Sequence, residues 1–108
     1  MTRKTQTEIR EEALRPSRYL GYNRDGLGAY LISRGAWEIA ETQFRRAIWL
    51  NPFEPRFKAH LAWCVFKQGR PEEARACLYG IAETDLDEDT RSLYRLVMCI
   101  GEETNGDR

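Results

Sequence analysis

Apolar side chains recur at helical spacing along this chain, in stretches broken by Gly and Pro. Leu27, Leu31 and Ile32 predict a helix from about Asn23 to Arg34, closed by Gly35 in the left-handed conformation. Trp37, Ala40, Phe44, Ala47 and Ile48 share one face of a second helix, about Ala36 to Leu50. Asn51-Pro52 stops it, because Pro disfavours helix in the residue before it. Pro55 opens a third helix that runs to about Gln68, with Ala59, Leu61, Ala62, Val65 and Phe66 apolar, and Gly69 ends it. Pro71 opens a fourth, about 71–83, carrying Ala74, Cys77, Leu78 and Ile81. Asp85 or Asp87 caps a fifth, about 88–100, with Leu93, Tyr94, Val97 and Ile100, and Gly101 ends it. The prediction is all-α.

The two ends read differently. Residues 1–20 form a basic arm, partly disordered or docked, with one weak helical stretch from about Thr7 to Arg15 that Pro16 ends. Tyr19, Leu20 and Tyr22 place three large apolar side chains within four positions, which suits docking onto the first helix of the main body. Residues 102–108 read as a polar, frayed tail.

The helices repeat. Shifted by 34 residues, Leu27 falls on Leu61, Gly28 on Ala62, Leu31 on Val65, Gly35 on Gly69, Ala40 on Ala74 and Phe44 on Leu78. A fixed period of this size marks a stacked helical array, in which no unit can bury its apolar face alone. Links of two or three residues make the helices of each pair antiparallel neighbours, and Gly28, Ala40, Ala62 and Ala74 let them approach closely.

These landmarks resemble the tetratricopeptide repeat (TPR) family, whose pattern is W-x2-L-G-x2-Y, then A-x3-F, then Pro. The first unit, about 21–54, has Leu27-Gly28, Ala40, Phe44, Ala47 and Pro52. It departs from the pattern at Arg24 in the Trp position and Leu31 in the Tyr position. The second unit, about 55–86, matches more loosely, with Lys58 for Trp and Leu86 for Pro. The fifth helix resembles the first half of a third unit: Leu93-Tyr94, Val97 and Gly101 match Leu61-Ala62, Val65 and Gly69 at a separation of 32. The likeness spans about residues 21–101.

The resemblance implies a right-handed superhelix of two antiparallel helix pairs plus a C-terminal capping helix. The first helix of each pair would line a concave groove that binds a peptide or helix of another protein. By the family register the groove is lined by Tyr22, Asp25, Ala29 and Ile32, then by Arg56, Ala59, Trp63, Phe66 and Lys67. Arg91, Arg95 and Met98 follow on the capping helix. Family members that hold chaperone C-termini use Lys and Asn where this chain has Asp25, Ala29, Ala59 and Trp63, so that particular activity is not expected. Two readings of Trp63 and Phe66 stand: anchors on the groove floor, or core residues covered by neighbouring segments. Arg56, Lys67, Arg91 and Arg95 would give the groove a positive lining, or form a solvated helix face.

Charge refines this picture. The chain has 108 residues, which suits one domain, and a net charge of zero. Residues 1–24 carry six Lys/Arg against three Asp/Glu, and residues 83–108 carry three against eight. A basic front and an acidic tail do not make a nucleic-acid footprint. No stretch approaches the roughly 20 apolar residues that span a bilayer, and no secretory signal opens the chain. Cys64, Cys77 and Cys99 read as free, small hydrophobes of a reducing, cytoplasmic protein.

Catalytic and metal chemistry find little support in the sequence. His60 has only Cys64 as a nucleophile-like neighbour at helical spacing, with no oxyanion donor in view. One His and no CxxC argue against structural zinc. The acidic run from Glu83 to Asp89 lacks the Gly and terminal Glu of a calcium loop and reads as a helix start. Trp37 reads as core. Trp49 with Phe53 reads as core near the inter-repeat link, or as an exposed convex patch. The expectation is a non-catalytic protein-interaction module without cofactor, an adaptor, assembly factor or chaperone. The alternative is a structural subunit built into a larger complex.

Overall fold

The computed structural model describes the backbone of residues 21–106 and the side chains of residues 21–99. The arm expected over 1–20, with its weak helix and Tyr19 and Leu20, lies outside the described residues. Five α-helices follow in order: α1 (Tyr22–Ser33), α2 (Trp37–Leu50), α3 (Pro55–Lys67), α4 (Pro71–Cys77) and α5 (Glu88–Gly106). A 3-10 turn, Glu83–Asp85, precedes α5. Among the described residues there is no strand. No described helix is long and apolar enough to cross a membrane.

Local chemistry sets most of these boundaries. Gly35 and Gly69 close α1 and α3 at φ 76° and 83°, a region that costs other residues a clash at Cβ. Their amides donate to Ile32 O and Phe66 O at 2.9 and 3.0 Å. Pro55 and Pro71 each occupy a first turn, where the missing N–H loses no hydrogen bond. The Glu54 carboxylate caps α3 by accepting from the Arg56 amide at 3.3 Å. Asp87 caps α5, accepting from the Thr90 amide at 2.9 Å and the Thr90 hydroxyl at 2.7 Å.

Two ends differ from the periodicity. The fourth helix stops at Cys77, not near residue 83. Beyond it the amides of Leu78, Tyr79 and Ile81 donate three residues back, to Arg75, Ala76 and Leu78. This tighter winding turns the chain while Leu78 stays buried. The fifth helix, in contrast, runs through Gly101 to Gly106, past the end expected near residue 100. A helical Gly costs about 1 kcal/mol relative to Ala, which weakens a helix without ending it.

Helix α3 packs against α1, α2, α4 and α5. Its buried Ala59, Leu61, Ala62, Cys64 and Val65 join Ala40 and Phe44 of α2, Ala74 of α4 and Val97 of α5 in one core. Phe57 is also fully buried. Gly28 is the closest approach of α1 to α2: a Cβ built there would lie 2.5 Å from the Phe44 ring. Tyr22 was expected to dock onto the first helix; instead it begins α1, and its ring meets Phe57 of α3 edge-on at 5.0 Å.

Candidate functional site

Apart from Arg56 and Arg91, the expected groove residues fall into three groups. Ala59 and Asp25 are 1% and 4% exposed, so neither offers surface to a partner. Ala59 belongs to the core of a helix packed against all four others. Ile32, Trp63, Phe66 and Met98 are half-buried at the margin of the core. Ala29, Lys67, Arg95 and Tyr22 are exposed.

Trp63 and Phe66 stack, with ring centroids 5.9 Å apart and planes at 16°. One helical turn brings the two rings together, and the small residues between α3 and its neighbours hold that helix in place. Lys67 Nζ lies 5.5 Å from the Trp63 ring and 5.9 Å from the Trp37 ring, within cation–π range of both. A recess of about 460 Å³ opens beside this lysine, between the α1–α2 and α3–α4 turns, and is walled by Trp37, Ile39 and Gln68.

The positive rim expected from sequence is largely neutralised. Arg56 forms an ion pair with Asp87 and lies 3.8 Å from Asp25. Arg95 pairs with Glu83. Arg91 is half-buried and donates to the carbonyls of Leu86 at 2.9 Å and Glu83 at 3.4 Å, so it fastens the turn before α5. Lys67 makes no ion pair among the described residues.

Sequence reasoning missed a polar cluster between α1, α3 and the start of α5. His60 Nδ1 is 2.6 Å from Asp25 Oδ1, and both side chains are nearly buried. The His60 ring also lies 5.4 Å from the Phe44 ring. Tyr22 donates its hydroxyl to Glu54 Oε2 at 2.6 Å, and this bond pushes the phenol up to about 12. Asp87 is held below the usual carboxylate range by the Thr90 amide and hydroxyl. The Asp25–His60 partnership spans 35 residues, one more than the repeat period, and only superposing the two units could have suggested it.

A second cluster ties α2 to α3 and α4. Glu41 accepts from Gln68 at 2.8 Å and pairs with Arg45 at 2.9 Å and with Arg70. Burial opposes its ionisation, but the hydrogen bonds from Gln68, Arg45 and Arg70 outweigh that and lower its pKa. Cys64 Sγ donates to Trp37 O at 3.0 Å, and burial pushes the thiol up to about 11. That environment is the reverse of one that activates a nucleophile. All three cysteines are free thiols.

Large apolar side chains also stand in solvent at the end of α2, in the α2–α3 link and after α4. Trp49, Phe53 and Tyr79 are 72%, 80% and 89% exposed. Trp49 and Phe53 therefore take the exposed of the two readings open to them. Comparison of the chain with family models, with curated proteins and with solved structures finds no match.

Proposed function

We propose that this protein is a non-catalytic protein-interaction module, an adaptor, assembly factor or chaperone of TPR-like, right-handed superhelical build. On this reading α1, α3 and α5 form the inner face, and a segment of another protein lies along it. The 34-residue coincidence of small and apolar landmarks supports the architecture. The observation that carries the function is the half-buried Trp63–Phe66 stack on the central helix, with Lys67 alongside. Stacked aromatics beside a core offer a partner a large apolar contact at low entropic cost. Because Arg56 and Arg95 are paired, the recognised segment is mainly apolar, with an anionic group at Lys67 rather than a run of acidic residues.

The test is co-purification of the native partner with wild type and with Trp63→Ala. Truncating a central aromatic anchor costs binding about 2 kcal/mol or more. Loss of the partner with helical content retained supports the proposal. Undiminished binding by a folded variant overturns it. If Trp63→Ala unfolds the chain, Lys67→Glu reads the same face from an exposed position, and unchanged binding then rejects the proposal.

A second reading, a subunit built permanently into a complex, draws on the exposure of Trp49, Phe53 and Tyr79. It predicts that the isolated chain associates or precipitates through these exposed side chains.

A further inference from the structure

Away from the Trp63–Phe66 face, a groove of about 370 Å³ runs between α2, α3 and α4. Ile48, Leu61, Ala76 and Cys77 give it an apolar floor, and Arg45 and Lys58 stand among its lining residues. Tyr79 flanks it, almost wholly exposed. No carboxylate lines it, and Lys58 makes no ion pair among the described residues. Arg45 is already engaged by Glu41 and Glu73, which leaves Lys58 as the groove's available cation. Lys58 also lines a smaller neighbouring recess together with Phe53, Ile81 and Asp85.

The chain contains a segment of matching chemistry. Helix α5 buries Thr90 and Val97 and leaves Glu88, Asp89, Ser92, Arg95, Leu96 and Cys99 exposed, with Arg95 held by Glu83. Those six positions fall on one stripe of a 3.6-residue helix. Leu96 is 39% exposed at the middle of the stripe, with acidic residues at its N-terminal end. Residues 83–108 carry eight Asp/Glu against three Lys/Arg, opposite in sign to Lys58 and Arg45. Residues 1–20 carry five Lys/Arg against three Asp/Glu, the same sign as the groove, and fit it poorly. A net charge of zero also means that copies of the chain do not repel one another at long range.

We infer that the groove between α2, α3 and α4 receives the exposed stripe of α5 from a second copy of this chain. Leu96 of one copy seats on the apolar floor of the next, and the acidic start of its α5 lies toward Lys58. This is a helix-in-groove contact. The proposed contact is head-to-tail, the groove of one copy on the stripe of the next, and leaves a free groove and a free stripe after each addition. The inference stands apart from the proposed partner at Trp63, since neither surface includes that residue.

Sedimentation velocity of the full chain tests it, from about 5 to about 500 µM, at about 50 mM and about 500 mM salt. The expected result is association that grows past the dimer with concentration and weakens with salt. Lys58→Glu and Leu96→Lys, both at surface positions, each weaken it at least about tenfold. The mixture of the two is more telling. Lys58→Glu keeps an intact stripe and Leu96→Lys keeps an intact groove, so together they form a one-to-one pair that cannot extend. A chain that stays monomeric throughout overturns the inference. So does a dimer that closes on itself, or association indifferent to both variants. If either variant loses helical content, Lys58→Ala and Leu96→Ser replace it and the same outcomes apply.

Discussion

The imidazole of His60 and the carboxylate of Asp25 meet at 2.6 Å, joining α3 to α1 through a pair almost removed from water. Arg56 stands on the far oxygen of that carboxylate and reaches Asp87 at the cap of α5. Three helices distant in sequence are thus tied by a few polar atoms. Removing one partner of a nearly buried pair strands the other, so Asp25→Ala should cost about 3 kcal/mol of stability. The Asp25→Ala/His60→Ala double variant should cost less than the sum of the two single losses. Urea unfolding of the four proteins measures this coupling. Strict additivity would mean that the pair contributes nothing.

Gly28 gives the second prediction. Even a methyl group there meets the Phe44 ring at 2.5 Å, and Phe44 is fully buried in the core. Gly28→Ala should therefore destabilise by about 1–3 kcal/mol, although Ala is the better helix former. Thermal melting checks the sign. Gly26, on the same helix, has open space at its Cβ and should become more stable as Ala.

Acid should unfold the protein through Asp87 and Glu41. Both carboxylates are held below their ordinary range in the native state, Asp87 by hydrogen bonds from Thr90 and Glu41 by those from Gln68, Arg45 and Arg70 despite burial. As pH falls the unfolded chain takes up protons first, so their contribution is full above about pH 5 and fades below about pH 4. The melting temperature should be level near neutrality and drop through that window. Asp87→Asn keeps a capping side chain but removes one titration, and should make the acid loss shallower.

Thiol labelling separates the cysteines. At pH 8, exposed Cys99 should react first and half-buried Cys77, raised by burial, more slowly. Cys64, at about 11, holds roughly 100-fold less thiolate than an ordinary thiol and is also buried. It should react only as the protein opens. Equal rates for Cys64 and Cys99 in the folded protein would contradict the packing.

The sequence made the helices legible because their signals are local. Pro55, Pro71, Gly35, Gly69 and the Asp87 cap act within a turn or two of the boundaries that they set. The end of α4 was hidden because Leu78 serves the core equally well from a turn. Gly101 resembled a stop but sits inside α5. The site was less legible. Spacing placed Trp63, Phe66 and Lys67 on one side of α3, where they do stack. It could not foresee that Arg56, Arg91 and Arg95 would be engaged by Asp87, by carbonyls and by Glu83, since those partnerships depend on how helices pack. Nor could it separate Leu27 from its repeat counterpart Leu61. Leu61 is buried on a helix enclosed by four neighbours, while Leu27 is exposed on the first.

The central place of α3 bears on how this chain comes apart. Every other helix rests on it, so no half of the protein keeps a closed core when α3 leaves. Fraying can begin at α5 or at α1, but amide hydrogens in the middle of α3, around Ala62 and Val65, open to exchange only when everything does. A protease nick at exposed Phe53 leaves α1–α2 and α3–α5 joined by noncovalent contacts alone. The short segment from Asn51 to Glu54 is thus the point at which one cut turns the folding of one chain into the association of two pieces.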